Sequence, residues 1–279
     1  MNSFPTSAFD VNSPKIVSAI DDLPLWSAAF GQKILDVIRM RPNISVLDVG
    51  CGMGFPLLDL SQRLGNSCQC FGIDPWFEAI LRANEKRQSW GLSNCFMFPA
   101  VAERLPFLNS SFDVIFSNNG INNVDDDELA MRDIARVAKP GAQVVITVNL
   151  PSTFIEFYEI FAEVLKDNNM EPEFDRLAEH VYRKRKPPDY TEALLSNAGF
   201  KILNGYLDKF RFRFLDGTSM LDHFFIKLAF LPSWLEIIAE EDKRETVFQQ
   251  LENRLNQISV AQNGLTMSVP WICYVAIKS

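Results

Sequence analysis

The 279-residue chain is 47% hydrophobic and carries a formal net charge of −8. Its length and apolar content suit one large α/β domain with an elaborated cap better than two full domains. Nucleic-acid binding requires clustered Lys and Arg, so the acidic balance argues against a broad polyanion-binding surface and against nucleic acid as a partner.

The sequence indicates neither a membrane span nor a metal site. It contains no run of about 18 apolar residues, and no early stretch combines a basic start, a short apolar core and a cleavage site, so we expect a cytoplasmic protein. The five cysteines form no CxxC pair, and only two histidines could complete a metal site. We therefore expect reduced, mostly buried thiols and no zinc.

Residues 44–149 alternate between strand and helix patterns, which predicts a parallel sheet covered by helices on both faces. A first strand at 44–49 is followed by a glycine loop and a helix with apolar spacing at Leu57, Leu60 and Leu64. The further strands are predicted at 69–74, 95–101, 112–117 and 143–149, with helices over 77–90 and from 125.

The composition changes beyond Leu150. An aromatic-rich helix is predicted over 154–165, and the charged stretch that follows it, through Pro187 and Pro188, is interpreted as irregular. Phe210, Phe212 and Phe214 alternate with basic residues, the period of a half-buried strand. The last strand, 269–277, alternates similarly. A long, mainly helical segment separates these two strands, and this arrangement suits an antiparallel pair that closes the sheet, with a helical cap between its strands.

These patterns predict an α/β fold with a seven-stranded, mostly parallel sheet, an antiparallel last strand, helices on both faces and a helical cap. We expect three parts. Residues 1–43 form an N-terminal helical segment that closes a pocket, and residues 44–150 form a cofactor-binding core. Residues 151–279 supply the remainder of the sheet with an inserted helical cap for substrate.

The most informative stretch is a buried strand that delivers three glycines just before a helix, VLDVGCGMG at 46–54. Glycine permits close backbone approach, and a helix N-terminus presents free N–H groups, so this loop is expected to hold part of a cofactor. The alternative is a tight turn that binds nothing. Phe55 stands where a dinucleotide fold requires its third glycine, so NAD or FAD binding fits poorly, and no Walker loop is present.

Asp74 ends the second strand in the run GIDP. Its distance along the chain from the glycine loop is typical of a carboxylate that accepts hydrogen bonds from ribose hydroxyls. The alternative is an Asp that initiates a turn before Pro75.

The runs VLDVGCGMG, GIDP, AERLPF, SSFDVIFSN and VAKPG together resemble the class I S-adenosylmethionine-dependent methyltransferases, especially the branch with ubiquinone, menaquinone and natural-product methyltransferases. The resemblance covers about residues 44–150, and the later run TEALLSNAGF also looks like this family. It implies a Rossmann-like fold, S-adenosylmethionine as the cofactor and a small-molecule methyl acceptor.

The resemblance also implies cofactor-binding roles for particular residues. The methionine end would be held by Asp48 with Gly50, Gly52 and Gly54, and the ribose by Asp74. Backbone groups near Ala102 and Glu103 would meet the adenine, Pro75 or Trp76 would pack on its face, and Asn118 would lie near the methionine moiety. This chain departs from many relatives in having Val101 where they carry an Asp, and Asn122 and Asn123 in place of a His pair.

The sequence offers fewer candidates for substrate binding and catalysis than for cofactor binding. His223, in an aromatic stretch of the predicted cap, is the candidate general base, with a structural role as the alternative. The candidate substrate residues are Trp26, Asn122, Asn123 and Tyr158. The basic run 183–186 could meet an anionic substrate or could simply be solvated.

We therefore predict a methyltransferase acting on a small, apolar or aromatic molecule through oxygen, carbon or nitrogen. The phenylalanine-rich cap favours such an acceptor. The alternative is a non-catalytic or non-methylating S-adenosylmethionine-binding protein of the same fold. The sequence does not indicate an oligomeric state.

Overall fold

The computed structural model describes residues 9–10, 12–22 and 25–279. Part of the N-terminal segment predicted to close the pocket, including Leu23 and Pro24, therefore lies outside the described residues. Internal contacts divide the chain into two units. The sheet unit comprises the described residues of 11–149, 186–208 and 271–279, and the helical unit comprises those of 1–10, 150–185 and 209–270.

One sheet contains all the strands of the described residues. In chain order they are β1 (Ser45–Val49), β2 (Gln69–Asp74), β3 (Cys95–Pro99), β4 (Phe112–Asn118), β5 (Ala138–Asn149), β6 (Phe200–Phe214) and β7 (Leu265–Lys278). The spatial order is β3-β2-β1-β4-β5-β7-β6. Strands β1 to β5 pair in parallel, and β7 pairs antiparallel with β5. The predicted seven-stranded, mostly parallel sheet with an antiparallel last strand is confirmed.

The helices of the described residues are, in chain order, α1 (Pro14–Asp22), α2 (Ser27–Val37), α3 (Leu57–Leu64), α4 (Phe77–Ser89), α5 (Asp127–Val137), α6 (Ile155–Asp167), α7 (Glu171–Lys184), α8 (Pro188–Asn197), α9 (Gly217–Asp222), α10 (Phe224–Ala229), α11 (Leu231–Leu235) and α12 (Glu241–Gln262). None of these helices is long and apolar enough to cross a membrane. The five cysteines are free and buried, as predicted.

Strand β1 lies at the centre of the sheet unit, between β2 and β4. Its apolar residues Val46 and Leu47 are fully buried, because helices cover both faces of a parallel sheet. The register pairs Asp48 with Gly72 of β2 and with Phe116 of β4. The carboxyl ends of the three strands therefore meet at one edge, where the strand order reverses and open α/β sheets bind ligands.

The charged stretch after α6 is helical, so the interpretation of that stretch as irregular was wrong. Helix α7 buries Glu173, Leu177 and His180, which follow the i, i+4, i+7 spacing of one helix face. Two of these three residues are polar, so the spacing of apolar residues in the sequence does not reveal this buried helix face. Helix α8 then begins at Pro188, a residue that suits the first turn of a helix.

The helical unit has its own aromatic core. Trp234 of α11 is fully buried and stacks on Phe157 of α6, with 3.9 Å between ring centroids. Phe161 of the same helix packs against Phe248 of α12 at 5.5 Å. These contacts unite helices that are far apart along the chain, so the phenylalanine richness of this region builds a core.

Replacing Leu47 with alanine should destabilise the protein by about 2–5 kcal/mol, because it removes a fully buried side chain from the central strand and leaves a cavity. Chemical denaturation measures this change. The control is Leu108→Ala, since Leu108 is 83% exposed and its loss should change stability by less than about 0.5 kcal/mol. Equal effects of the two substitutions would contradict the placement of β1 at the centre of the core.

Candidate functional site

A pocket of about 540 Å³ lies in the sheet unit, at the carboxyl ends of β1, β2 and β4. Of the sequence-predicted site residues, those that line it are Trp26, Gly50, Asp74, Pro75, Ala102, Glu103, Asn118 and Asn123. Val49, Ile73, Trp76, Val101, Asn119, Gly120, Val124 and Asp125 complete the lining. The structure therefore brings together groups from five separate stretches of the chain.

The glycine loop has a backbone that side chains would disturb. Gly50, Gly52 and Gly54 have positive φ angles of 85°, 49° and 95°. A Cβ atom on Gly54 would lie 2.6 Å from Leu58 Cδ1, so this glycine allows α3 to approach the loop. A Cβ on Gly52 would meet no atom within 4 Å, so this position borders open space that a ligand can occupy.

Asp74 ties the end of β2 to the glycine loop. Its carboxylate accepts hydrogen bonds from the backbone N–H groups of Gly52 and Trp76, both at 2.8 Å. Burial raises the pKa of Asp74, and the two backbone bonds oppose that shift. A carboxylate offers about four acceptor positions, so Asp74 keeps capacity for ligand hydroxyl groups.

Asp48 is fully buried, and neither of its carboxylate oxygens has a hydrogen-bond partner among the described residues. Burial, and secondly the charge of Asp74, raise the pKa of Asp48 well above its usual range. A buried carboxylate without partners is costly and is normally paired. The indole Nε1 of Trp76 is likewise buried without a partner in the described part of the chain. The segments that border the pocket therefore contain both a hydrogen-bond acceptor and a hydrogen-bond donor without a partner among the described residues.

A cluster of asparagines organises the loop after β4. Asn119 Oδ1 accepts hydrogen bonds from Asn122 Nδ2 at 2.6 Å and from the backbone N–H of Asn149 at 3.2 Å. Asn122 holds this loop and does not itself line the pocket. Asn118 Nδ2 donates to the backbone oxygen of Ser27 at 3.2 Å, which fixes the start of α2 beside the pocket.

Sequence reasoning did not select Asn119, although the dipeptide Asn119-Gly120 is a recognised turn signal. Asn119 adopts φ 59°, which asparagine tolerates better than most residues. Its side chain positions Asn122 while the residue itself lines the pocket. The turn signal therefore marked a residue that lines the pocket, without indicating its contacts.

The segment predicted to meet the adenine forms a short 3₁₀ turn, Ala102–Arg104. The Glu103 carboxylate accepts hydrogen bonds from the backbone N–H groups of Asp125 and Asp126, at 2.9 and 3.3 Å. One oxygen of this side chain, Oε1, therefore holds the loop before α5. Val101, which lines the pocket, is 46% exposed.

Two predicted residues, Tyr158 and His223, belong to the helical unit. Tyr158 is buried and accepts a hydrogen bond from Trp234 Nε1 at 3.0 Å. His223 lies at the start of α10, with its ring 5.5 Å from that of Phe214. Its Nδ1 atom is buried without a partner among the described residues, and burial lowers the pKa of the ring.

The sheet order and the glycine-loop pocket define a Rossmann-like methyltransferase fold. A family model described as a methyltransferase domain matches residues 47–146. A solved structure with this fold is phosphoethanolamine N-methyltransferase 2 of Haemonchus contortus in complex with S-adenosyl-L-methionine, at a TM-score of 0.58 and 16% identity over 96% of this chain and 58% of that one.

Sequence relatives agree with the family model. A demethylmenaquinone methyltransferase of Staphylococcus aureus is 29% identical over 135 residues, 48% of this chain and 55% of the relative. That of Lactococcus lactis is 26% identical over 207 residues, 71% of this chain and 80% of the relative. The matched part of the chain thus spans about half the length of the first relative. Residues 47–146 therefore match a methyltransferase domain, and the chain is similar in sequence to demethylmenaquinone methyltransferases.

Gly52→Ala should weaken S-adenosylmethionine binding at least about tenfold, since the added Cβ would project into the open space beside the loop. Titration calorimetry measures this loss. Gly91→Ala is the matched control, because Gly91 also has positive φ and an unobstructed Cβ direction. Both variants carry backbone strain of roughly 1–2 kcal/mol, so equal cofactor affinities in the two would show that Gly52 does not face the ligand.

Asp48→Asn should stabilise the ligand-free protein increasingly as the pH rises from about 4 to about 8. The pKa of Asp48 is higher in the folded state than in the unfolded state. The contribution of Asp48 to the free energy of unfolding is therefore fully present below the usual carboxyl pKa, and it is lost as the pH rises through the pKa of the folded state. Asparagine keeps the shape of the side chain but does not ionise, so the variant does not lose stability in this way as the pH rises. Thermal melts against pH test this, with the exposed Asp175→Asn as control. A variant less stable than the wild type near pH 8 would contradict the unpaired state of Asp48.

Proposed function

We propose that the protein transfers the methyl group of S-adenosylmethionine to a small, apolar acceptor of quinone type. The observation that carries this proposal is the buried, unpartnered carboxylate of Asp48, next to the glycine loop and to Asp74. Two relatives bear the name demethylmenaquinone methyltransferase, which supports a quinone-type acceptor.

The residues present fit the cofactor. When bound, S-adenosylmethionine supplies a methyl group on a positively charged sulfur, together with an ammonium group on its methionine end. Asp48 provides a negative charge that a buried cation would compensate, since the protein leaves both oxygens without partners. The open backbone at Gly52 permits close approach, and Asp74 retains acceptor capacity for the ribose hydroxyls.

The adenine end would be held differently from that of many relatives. Val101 offers no hydrogen bond, and Oε1 of Glu103 is engaged with the backbone before α5. The remaining groups are the second carboxylate oxygen of Glu103, the backbone of the 3₁₀ turn at Ala102, the ring of Pro75 and the indole of Trp76. The unpartnered Trp76 Nε1 is a donor that a ligand acceptor atom could satisfy.

Methyl transfer is a direct displacement, and its rate depends chiefly on the alignment of the two reactants. The rigid groups around the pocket serve alignment: Asn118 is tied to Ser27, and Asn119 to Asn122 and Asn149. Apolar side chains such as Val49 and Ile73 reduce the water content of the pocket. Both effects favour displacement over hydrolysis.

His223 is the proposed proton acceptor. Burial lowers the pKa of its ring, which keeps the imidazole neutral at physiological pH, and Nδ1 has no partner among the described residues. A neutral imidazole is the form that accepts a proton from an acidic acceptor group. Trp26 is the proposed closing residue of the cofactor pocket, since it forms part of the lining.

The test is incubation of the full chain with methyl-labelled S-adenosylmethionine and a short-chain prenyl-1,4-naphthoquinol, followed by mass spectrometry. We expect one labelled methyl group per acceptor molecule. Asp74→Asn should bind the cofactor about 10- to 150-fold more weakly, through loss of charge-assisted hydrogen bonds worth roughly 1.5–3 kcal/mol. The exposed Asp36→Asn serves as the control.

Two outcomes would contradict the proposal. Tight cofactor binding without label transfer would favour the non-catalytic S-adenosylmethionine-binding protein. Consumption of the cofactor with transfer of a group other than methyl would favour a non-methylating use of the same pocket. Unchanged cofactor affinity in Asp74→Asn would move the ribose site away from the end of β2.

A further inference from the structure

The helical unit contains a buried arginine without a counter-ion. Arg185, which follows the last residue of α7, is 3% exposed, and no carboxylate among the described residues lies within ion-pair distance of it. The residues before it in the basic run, Arg183 and Lys184, are exposed to solvent. The run is therefore solvated at those two positions, and Arg185 is the buried exception.

One side of the Arg185 guanidinium is held in place. Its Nη1 atom donates a hydrogen bond to the hydroxyl oxygen of Tyr158 at 3.0 Å. Trp234 Nε1 donates to the same oxygen at 3.0 Å, and Tyr158 is itself buried. The guanidinium therefore contacts a rigid, buried neighbour instead of a mobile surface group.

The Tyr158 hydroxyl provides no negative charge for Arg185. Two N–H donors occupy its lone pairs, so its proton is directed to His180 Nε2, 3.4 Å away. That nitrogen must then be unprotonated. Burial, followed by the charges of Arg185, Arg183 and Lys184, lowers the pKa of His180 to about 4, which matches this arrangement.

The other side of the guanidinium has no partner in the described part of the chain. Nε is buried and donates no hydrogen bond, and Nη2 also donates none to the described residues. Nε and Nη2 form the edge with which arginine binds a carboxylate through two parallel hydrogen bonds. Nη2 is less enclosed than Nε, so this atom keeps some contact with solvent.

We propose that Arg185 is the receptor for a small-molecule carboxylate, bound through Nε and Nη2. The charge of the ligand would compensate the buried cation, and its two oxygens would satisfy the two remaining donor positions. Tyr158 acts as the positioning residue that orients the guanidinium. This site belongs to the helical unit and is independent of the proposed methyl transfer.

The experiment measures binding of sodium benzoate to the full chain by titration calorimetry at constant ionic strength, with and without saturating S-adenosylmethionine. The cofactor itself carries a carboxylate, so its presence blocks benzoate from the cofactor pocket. We expect saturable benzoate binding that the cofactor leaves unchanged, and no comparable binding of the neutral isostere benzamide. Asp74→Asn should bind benzoate as the wild type does.

Arg185→Lys should weaken benzoate binding about 10- to 150-fold, because lysine keeps the charge and loses the two-point edge. Lys184→Met, which removes a neighbouring exposed charge, should leave the affinity unchanged. Arg185→Met should also abolish benzoate binding. If Arg185→Met does not fold, the result for Arg185→Lys decides the test.

Three results with benzoate or benzamide would overturn the inference: absence of saturable benzoate binding to the wild type, equal benzoate affinity in Arg185→Lys, or benzamide binding as tight as that of benzoate. Inorganic phosphate that bound as tightly as benzoate would replace the carboxylate receptor by a general anion site, which also contradicts it.

Discussion

The pocket depends on a close approach of bare backbone between the loops that follow β1 and β4. A Cβ atom on Gly50 would lie 3.0 Å from Gly120 Cα, and one on Gly120 would lie 2.8 Å from the backbone oxygen of Val49. Ser117 fastens this junction, since its hydroxyl donates to that same Val49 oxygen at 2.7 Å and accepts from Ile121 N–H at 3.1 Å. Any side chain at either glycine would separate the two loops, and the groups around the pocket would no longer hold fixed positions relative to one another.

The two units share a physical property: each contains a buried ionisable side chain with polar atoms that the described residues leave without a hydrogen-bond partner. The sheet unit has an acidic one at Asp48, and the helical unit has a basic one at Arg185. Isolated buried charges reduce stability, and such local violations of packing rules concentrate at functional sites.

Much of the sheet unit could be predicted from the sequence. The pattern of β-strands and helices is local, and α3 spans Leu57 to Leu64, the residues whose apolar spacing predicted it. The alternating glycines predicted the loop beside the pocket, because positive φ angles at alternate positions favour that residue type. Asp74 was selected by its position at the end of a strand.

The features that the sequence did not reveal depend on burial by distant residues. Helix α7 escaped prediction because its buried face includes Glu173 and His180, which resemble surface residues in an apolar count. Arg185 is one of four consecutive basic residues, and only the tertiary structure distinguishes it from its exposed neighbours. The role of Asn119 likewise depends on Asn149, thirty residues away.

The division of the chain has a consequence for how the protein folds. The chain passes between the two units at five points, after residues 10, 149, 185, 208 and 270. The last two lie inside β6 and β7, so each of these strands has part of its length in either unit. No contiguous fragment contains the whole of one unit without part of the other. Neither unit can therefore be excised or exchanged as one continuous piece of chain, as a domain with its boundaries in linkers could be.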